Sequence, residues 1–169
     1  MKHGPTGLTF PAMVAGVQGP DGRIAALHRT FLLPGGAGPA QVHTPKMALG
    51  PVAGGAVRLT KISSKLGLAE GIETGLSVMQ ATGLPVWACL STSGLKGVIL
   101  PETVREVVLC ADGDEPGQVA AEAAAQRFIG EGRTARIANP PPGFDFNDLL
   151  RLPENVAPLD TRRRASGHG

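Results

Sequence analysis

Apolar residues fall into two different patterns along this chain. Between residues 63 and 152 they come in short unbroken blocks, KLGLAE, PVWACLS, EVVLCA and TARIANP. Blocks of that length read as strands covered on both faces. Helical stretches separate them. Glu73 to Thr82 carries Leu76, Val78 and Met79 and is stopped by Gly83 and Pro85, a typical helix ending. A short helix or turn is expected around Gly94 to Leu100. Pro116 to Gly130 places Ala120, Ala124 and Phe128 at i, i+4 and i+8 behind Asp114 or Glu115 as a cap, which predicts one apolar helix face. Strands alternating with helices predict an α/β unit with a mainly parallel sheet flanked by helices.

Residues 1 to 62 read differently. Short strand-like runs, PAMVAGVQ and RIAALHRTFL, flank Gly19-Pro20-Asp21-Gly22. In such a turn Pro presets one dihedral and Gly takes positive φ, so a β-hairpin is expected. Pro34 to Pro39 is a loop, and KMALG and GGAVRL predict further short strands. The expected division is a β-rich N-terminal subdomain over 1–62, an α/β domain over 63–152, and a basic tail over 153–169. The tail contains TRRR. A solvated, frayed end is favoured there over a phosphate contact, because short charge runs are usually tails.

Composition narrows the classes. Hydrophobic residues make up 42% of the 169, enough for a real core, and the net charge is only +2. Any nucleic-acid surface must therefore come from local clustering of charge. Cys89 and Cys110 lie inside apolar runs and read as buried, reduced thiols of a cytoplasmic protein. The start has no stretch suited to a signal peptide, and no run of about 18 apolar residues suggests a membrane span.

The chemistry collects at strand ends. Glu70 closes the first strand of the second region, Asp112 and Asp114 the third, and Asp145 and Asp148 follow the last. Ligands of parallel α/β sheets bind beyond those ends. Crowded carboxylates repel one another, and a hard divalent cation, magnesium or manganese, removes that cost. Taken alone, Asp112 as a turn residue and Asp114 as a helix N-cap read equally well. The three strand ends together shift the reading towards metal.

LAEGIET, then a helix, a strand and VVLCADGDEPG about 40 residues on, resembles the Toprim domain of primases and topoisomerases. It is most similar to primase-like proteins of phages, plasmids and other mobile elements. GFDFNDLL, and less sharply HRTFL and PKMALGP, resemble neighbouring segments of the same proteins. The resemblance covers residues 63 to 152 and implies roles. Glu70 would be the general base in strand synthesis or the general acid in cleavage, and Asp112 and Asp114 the magnesium-binding catalytic pair. Asp145 and Asp148 would support them or add ligands. Many Toprim proteins carry an acid four residues after the glutamate. Here that position is Thr74, and Glu73, one residue earlier, can substitute or simply favour the helix N-terminus. His28, Arg29, Lys46, Arg58 and Lys96 are candidates for holding phosphate or nucleotide, against an ordinary basic surface.

The function implied is magnesium-dependent nucleotidyl transfer by a DNA primase domain, acting on single-stranded DNA and nucleoside triphosphates. A Toprim nuclease and a non-catalytic nucleic-acid-binding module are the alternatives. With no Tyr in the chain, a covalent tyrosyl topoisomerase step is disfavoured. No P-loop and no zinc-spaced Cys/His cluster occurs, so the chain reads either as a fragment of a larger primase or as a short relative that works with a helicase or zinc-binding module on another chain.

Overall fold

A computed structural model describes residues 1–141 and 144–151 of the protein. The predicted basic tail lies outside the described residues. The predicted hairpin is formed by β1 (Ala12–Gln18) and β2 (Ile24–Phe31), paired antiparallel. Its turn uses Gly22 at φ +80°, with the Gly22 N–H donating to the Gly19 carbonyl at 3.0 Å. β3 (Lys46–Leu49) adds to β2, also antiparallel, with Lys46 opposite Thr30 and Ala48 opposite His28. The segment predicted as a loop at Pro34 contains a single 3₁₀ turn, Pro34–Gly36.

Alternation gives this three-stranded sheet two unlike faces. Val17, Ala26, His28 and Thr30 point inward and are buried. Val14, Leu27 and Leu49 point the other way and are exposed.

The GGAVRL run forms β4 (Val57–Arg58), but this strand joins the second sheet rather than the first. It pairs antiparallel with β6 (Val86–Ala88) at the sheet edge. The other strands are β5 (Lys65–Ala69), β7 (Glu106–Cys110) and β8 (Thr134–Ala138), and the order is β4-β6-β5-β7-β8. Every pairing except that of β4 is parallel. The α/β expectation, a mainly parallel sheet flanked by helices behind a small β-rich N-terminal part, is thus met.

The crossovers are α1 (Ile72–Thr82), α2 (Thr92–Gly97) and α3 (Glu115–Gly130), and α4 (Phe146–Arg151) closes the fold. Alternate residues of each strand serve opposite faces. Leu66, Leu68, Val107 and Leu109 pack with Leu95 of α2 and with Ala120, Ala124 and Phe128 of α3. Ala69, Val108 and Cys110 pack with Val78 of α1 and Phe146 of α4. A third cluster, with Val17, Ala26, Val57, Ile72 and Ala88, joins the inner face of the first sheet to α1, β4 and β6. The predicted face of α3 is therefore the buried one. The helix expected near Gly94 starts two residues earlier, capped by Ser91, whose hydroxyl accepts the Gly94 N–H at 3.0 Å.

Two further links tie the sheets together. Gln18 and Ala56 exchange backbone hydrogen bonds of 2.9 and 3.0 Å. Arg58 lies over the Trp87 ring at 4.3 Å and donates to the Gly19 carbonyl at 2.7 Å. Cys89 and Cys110 are buried free thiols, as the sequence predicts. Among the described residues no helix is long and apolar enough to cross a membrane.

Candidate active site

The sheet order determines where a ligand can sit. From β5 the chain crosses by α1 to β6 on one side, and from β7 by α3 to β8 on the other. These crossovers lie on opposite faces, so the order reverses between β5 and β7. A crevice opens at such a point beyond the strand ends. Ala69 and Cys110 are register partners. Glu70 directly follows the first, and Asp112 comes two residues after the second.

Electrostatics marks these two acids. Burial pushes the Glu70 carboxyl above the usual carboxylate range, and the charges of Asp112 and Asp114 push it further. The Thr92 backbone N–H and the Lys46 charge act the other way. Asp112 is also raised, by burial first and then by Asp114 and Asp145, against a hydrogen bond from Thr74 and the charge of Lys46. The Thr74 hydroxyl donates to Asp112 Oδ1 at 3.3 Å. Burial and neighbouring like charge thus make ionisation of both acids less favourable than in water, a pattern often met at functional sites.

The remaining predicted acids have other partners. Asp114 caps α3, its Oδ1 accepting the Gly117 N–H at 2.9 Å. A Cβ on residue 117 would stand 2.8 Å from that oxygen, so only glycine lets the cap close. Asp145 and Asp148 form a reciprocal cap on α4. Asp145 Oδ1 accepts the Asp148 N–H at 2.7 Å, and Asp148 Oδ2 accepts the Asp145 N–H at 3.1 Å. That is the capping-box pattern with aspartates in both roles. Glu73 pairs with Lys46 at 3.0 Å. Its own backbone N–H and the Lys46 charge outweigh burial, so its carboxyl is lowered rather than raised.

The basic candidates separate too. Lys46 comes from β3 of the first sheet, and its charge reaches both Glu70 and Asp112. His28 is buried on the same sheet face. Burial and the Lys46 charge lower its pKa against the pull of Glu73, leaving the ring neutral at pH 7. Arg29 stands 5.9 Å from the Phe31 ring. Arg58 is engaged with Trp87 and Gly19 as described above. Lys96 is exposed in the last turn of α2. The fold thus brings Glu70, Asp112, Asp114 and Lys46 within electrostatic reach of one another at the strand ends, and gives Arg58 a packing role.

Two contributors were not legible in the sequence, the Thr74 hydroxyl and the Thr92 backbone N–H. Only the departure at Thr74 from the pattern of similar proteins hinted at the first. Burial pushes the Cys89 and Cys110 thiols up to about 12, so neither is a nucleophile at neutral pH.

An oxygen-only donor set of two strained carboxylates suits a hard cation. Among the described residues no group of three or more His, Cys, Asp or Glu side chains is gathered to hold one ion. Magnesium tolerates this, because it commonly takes one or two carboxylates and completes its shell with water and substrate phosphate.

The Toprim domain family matches residues 65–153. A domain of unknown function, DUF7146, matches residues 1–59. No curated protein matches the chain. Among solved structures, a DNA primase domain from Pseudomonas aeruginosa is similar at TM-score 0.60 and 19% identity, over 89% of this chain and 51% of that one. The primase fragment of the bacteriophage T7 primase-helicase protein gives TM-score 0.61 and 22% identity, over 83% of this chain and 57% of the fragment. The Aquifex aeolicus primase, with its zinc-binding and RNA polymerase domains, gives 0.62 and 16%, over 83% and 36%. At these identities the likeness is one of fold, and the chain spans roughly half the length of the first two structures.

Proposed function

The chain belongs to the Toprim domain family, and from that premise we propose that it is a magnesium-dependent nucleotidyltransferase of the primase type. Its substrates would be nucleoside triphosphates and single-stranded DNA. The observation that carries this reading is the pairing of two destabilised carboxylates, Glu70 and Asp112, with a single lysine brought in from the other sheet. Such a site offers negative groups for a cation and a positive group for phosphate, as phosphoryl transfer requires.

Glu70 and Asp112, with Asp114 beside them, would hold magnesium, which when bound neutralises triphosphate charge. Lys46 would bind the phosphates as a point charge. The 3′-hydroxyl of a growing primer attacks the α-phosphate. The new O3′–P bond forms as the bond to the leaving pyrophosphate breaks. The hydroxyl proton passes to the Glu70 carboxylate. Thr74 fixes the rotamer of Asp112 through its hydroxyl. The division into residues 1–62 and 63–152 then has a functional sense, with the first part supplying the lysine and the second the acids. The longer primases that resemble this chain suggest that it works together with a helicase or zinc-binding module.

The test is incubation with end-labelled single-stranded DNA, all ribonucleotides and deoxynucleotides, and magnesium or manganese. New short chains are expected, with Asp112→Asn and Glu70→Gln each reducing them by about a hundredfold or more, the scale of losing a general base or a charge stabiliser. Shortened template lost in the same variants would make the protein a nuclease. Unchanged template, no new chains and salt-dependent DNA binding would make it a binding module.

A further inference from the structure

Glu73 sits in the first turn of α1, three residues after Glu70, where it could serve as one more metal ligand. The contacts say otherwise. Its Oε1 lies 3.0 Å from Lys46 Nζ. Its Oε2 folds back over Gly71, where an added Cβ would come within 3.4 Å of it. One carboxylate oxygen is thus committed to a lysine and the other is tucked against the backbone before the helix. Meanwhile Thr74, at the position where many related proteins carry an acid, donates its hydroxyl to Asp112 at 3.3 Å.

Lys46 needs such a partner. It stands on β3, a four-residue strand at the sheet edge, and its side chain is 47% exposed. A lysine stem so placed keeps wide rotamer freedom, all of which is lost on grasping a ligand. Glu73 is about equally exposed, at 45%. An ion pair of that exposure adds little to stability, so a purely structural reason for it is weak. What it does is fix where the ammonium stands. Lys46 is held between the two sheets, within electrostatic reach of Glu70 and Asp112.

We infer that Glu73 is a positioning residue that holds the Lys46 ammonium at the mouth of the acidic crevice, ready for the phosphates of a nucleoside triphosphate. The inference rests on the proposed function and adds a division of labour to it. Glu70 and Asp112 serve the metal, Thr74 steadies Asp112, and Glu73 serves the lysine.

Direct binding tests this apart from catalysis. Manganese(II) alone, and ATP in the presence of magnesium, are titrated into the wild-type chain and into Glu73→Gln, Lys46→Ala, the double variant Lys46→Ala/Glu73→Gln, Asp112→Asn, and the charge swap Lys46→Glu/Glu73→Lys. Thermal melts of each confirm folding. Glu73→Gln is expected to weaken ATP about tenfold, on the scale measured for close charge pairs, and to leave manganese affinity unchanged. The double variant should bind ATP no worse than Lys46→Ala alone, because the two residues act through one group. The swap should keep the melting temperature yet fail to bind ATP, since it puts an anion where the phosphates belong. A loss of manganese affinity in Glu73→Gln like that in Asp112→Asn would overturn the inference and make Glu73 a ligand. Recovery of ATP binding by the swap would reduce the pair to a staple between the sheets, and so overturn it as well. If the wild type binds manganese but no ATP, the inference falls while the metal site stands. If it binds neither, the proposed function falls with it.

Discussion

The two sheets are built by different rules. The five-stranded sheet is covered on both faces, and its strands read as unbroken apolar blocks with buried Leu66, Leu68, Val107 and Leu109. The three-stranded sheet is covered fully on one face; on the other, Phe31 is buried against His3 and Phe10 at one end, while Val14 and Leu49 stay exposed at 46% and 60%. The larger sheet carries all the acids of the crevice, and the smaller one adds a single lysine. A parallel sheet supplies loops at one edge, where like charges can be crowded because the core beneath is stable. The smaller sheet needs only to dock at a fixed angle. Val17 and Ala26 packed against Ile72 and Ala88, together with Arg58 bridging Trp87 and Gly19, provide that docking.

The largest effect should come from the core of the larger sheet. Leu109 is fully buried in β7, the interior strand that leads to Asp112. Leu109→Ala is expected to cost about 2–5 kcal/mol, the sum of lost transfer energy and a cavity under α3. Urea unfolding at constant m-value is the measurement. A cost below about 1 kcal/mol would mean that the sheet is not the rigid member of the pair.

This contrast also explains what could be read from the sequence. Strands covered on both faces announce themselves, so β5, β6, β7 and β8 were legible, and so were Glu70 and Asp112 at their ends. Helix ends were legible where a capping residue stood, as at Asp114 and Gly83. The destination of β4 was not. A strand of two residues has no periodicity, and pairing is decided by a partner distant in sequence, Val57 with Ala88 and Arg58 with Trp87. Helix α4 had a signal that went unread, the Asp145 and Asp148 spacing of a capping box. The Lys46–Glu73 pair had none. It depends on how one sheet docks on another, which local pattern does not encode.

A middle-sized effect should separate the sites by pH. Glu70 and Asp112 have native pKa values above their unfolded ones. The native state then binds more protons, and stability falls as pH rises from the ordinary carboxylate range through the raised values. Glu73 runs the opposite way. Its native value is lowered, so its contribution is present above the unfolded pKa and is lost as pH falls through the native one. Melting temperature without divalent ions should therefore rise and then fall between acid and neutral pH. After solvent screening the fall is small beside the effect of Leu109→Ala. Asp112→Asn should raise the neutral-pH melting temperature by part of that amount, and magnesium should flatten the fall in the wild type. A fall that Asp112→Asn and Glu70→Gln leave unchanged would show that the carboxylates are not crowded in the native state.

The smallest effect is expected on the open face of the smaller sheet. Leu49 ends an edge strand and is mostly exposed, opposite Leu27. Thr brings β-branching and strand propensity while removing apolar surface, so Leu49→Thr should change stability by less than about 0.5 kcal/mol. The same substitution on a covered sheet face would act through lost burial and cost several times more. Urea unfolding at two protein concentrations decides between these. A small, concentration-independent change confirms that the face is open around Leu49 and that the sheet docks through its other side, where Lys46 stands. A loss above about 1.5 kcal/mol that grows with protein concentration would show the face covered by a second copy. The smaller sheet would then be a two-sided layer like the larger one, and the asymmetry that leaves it free to contribute one lysine would be lost.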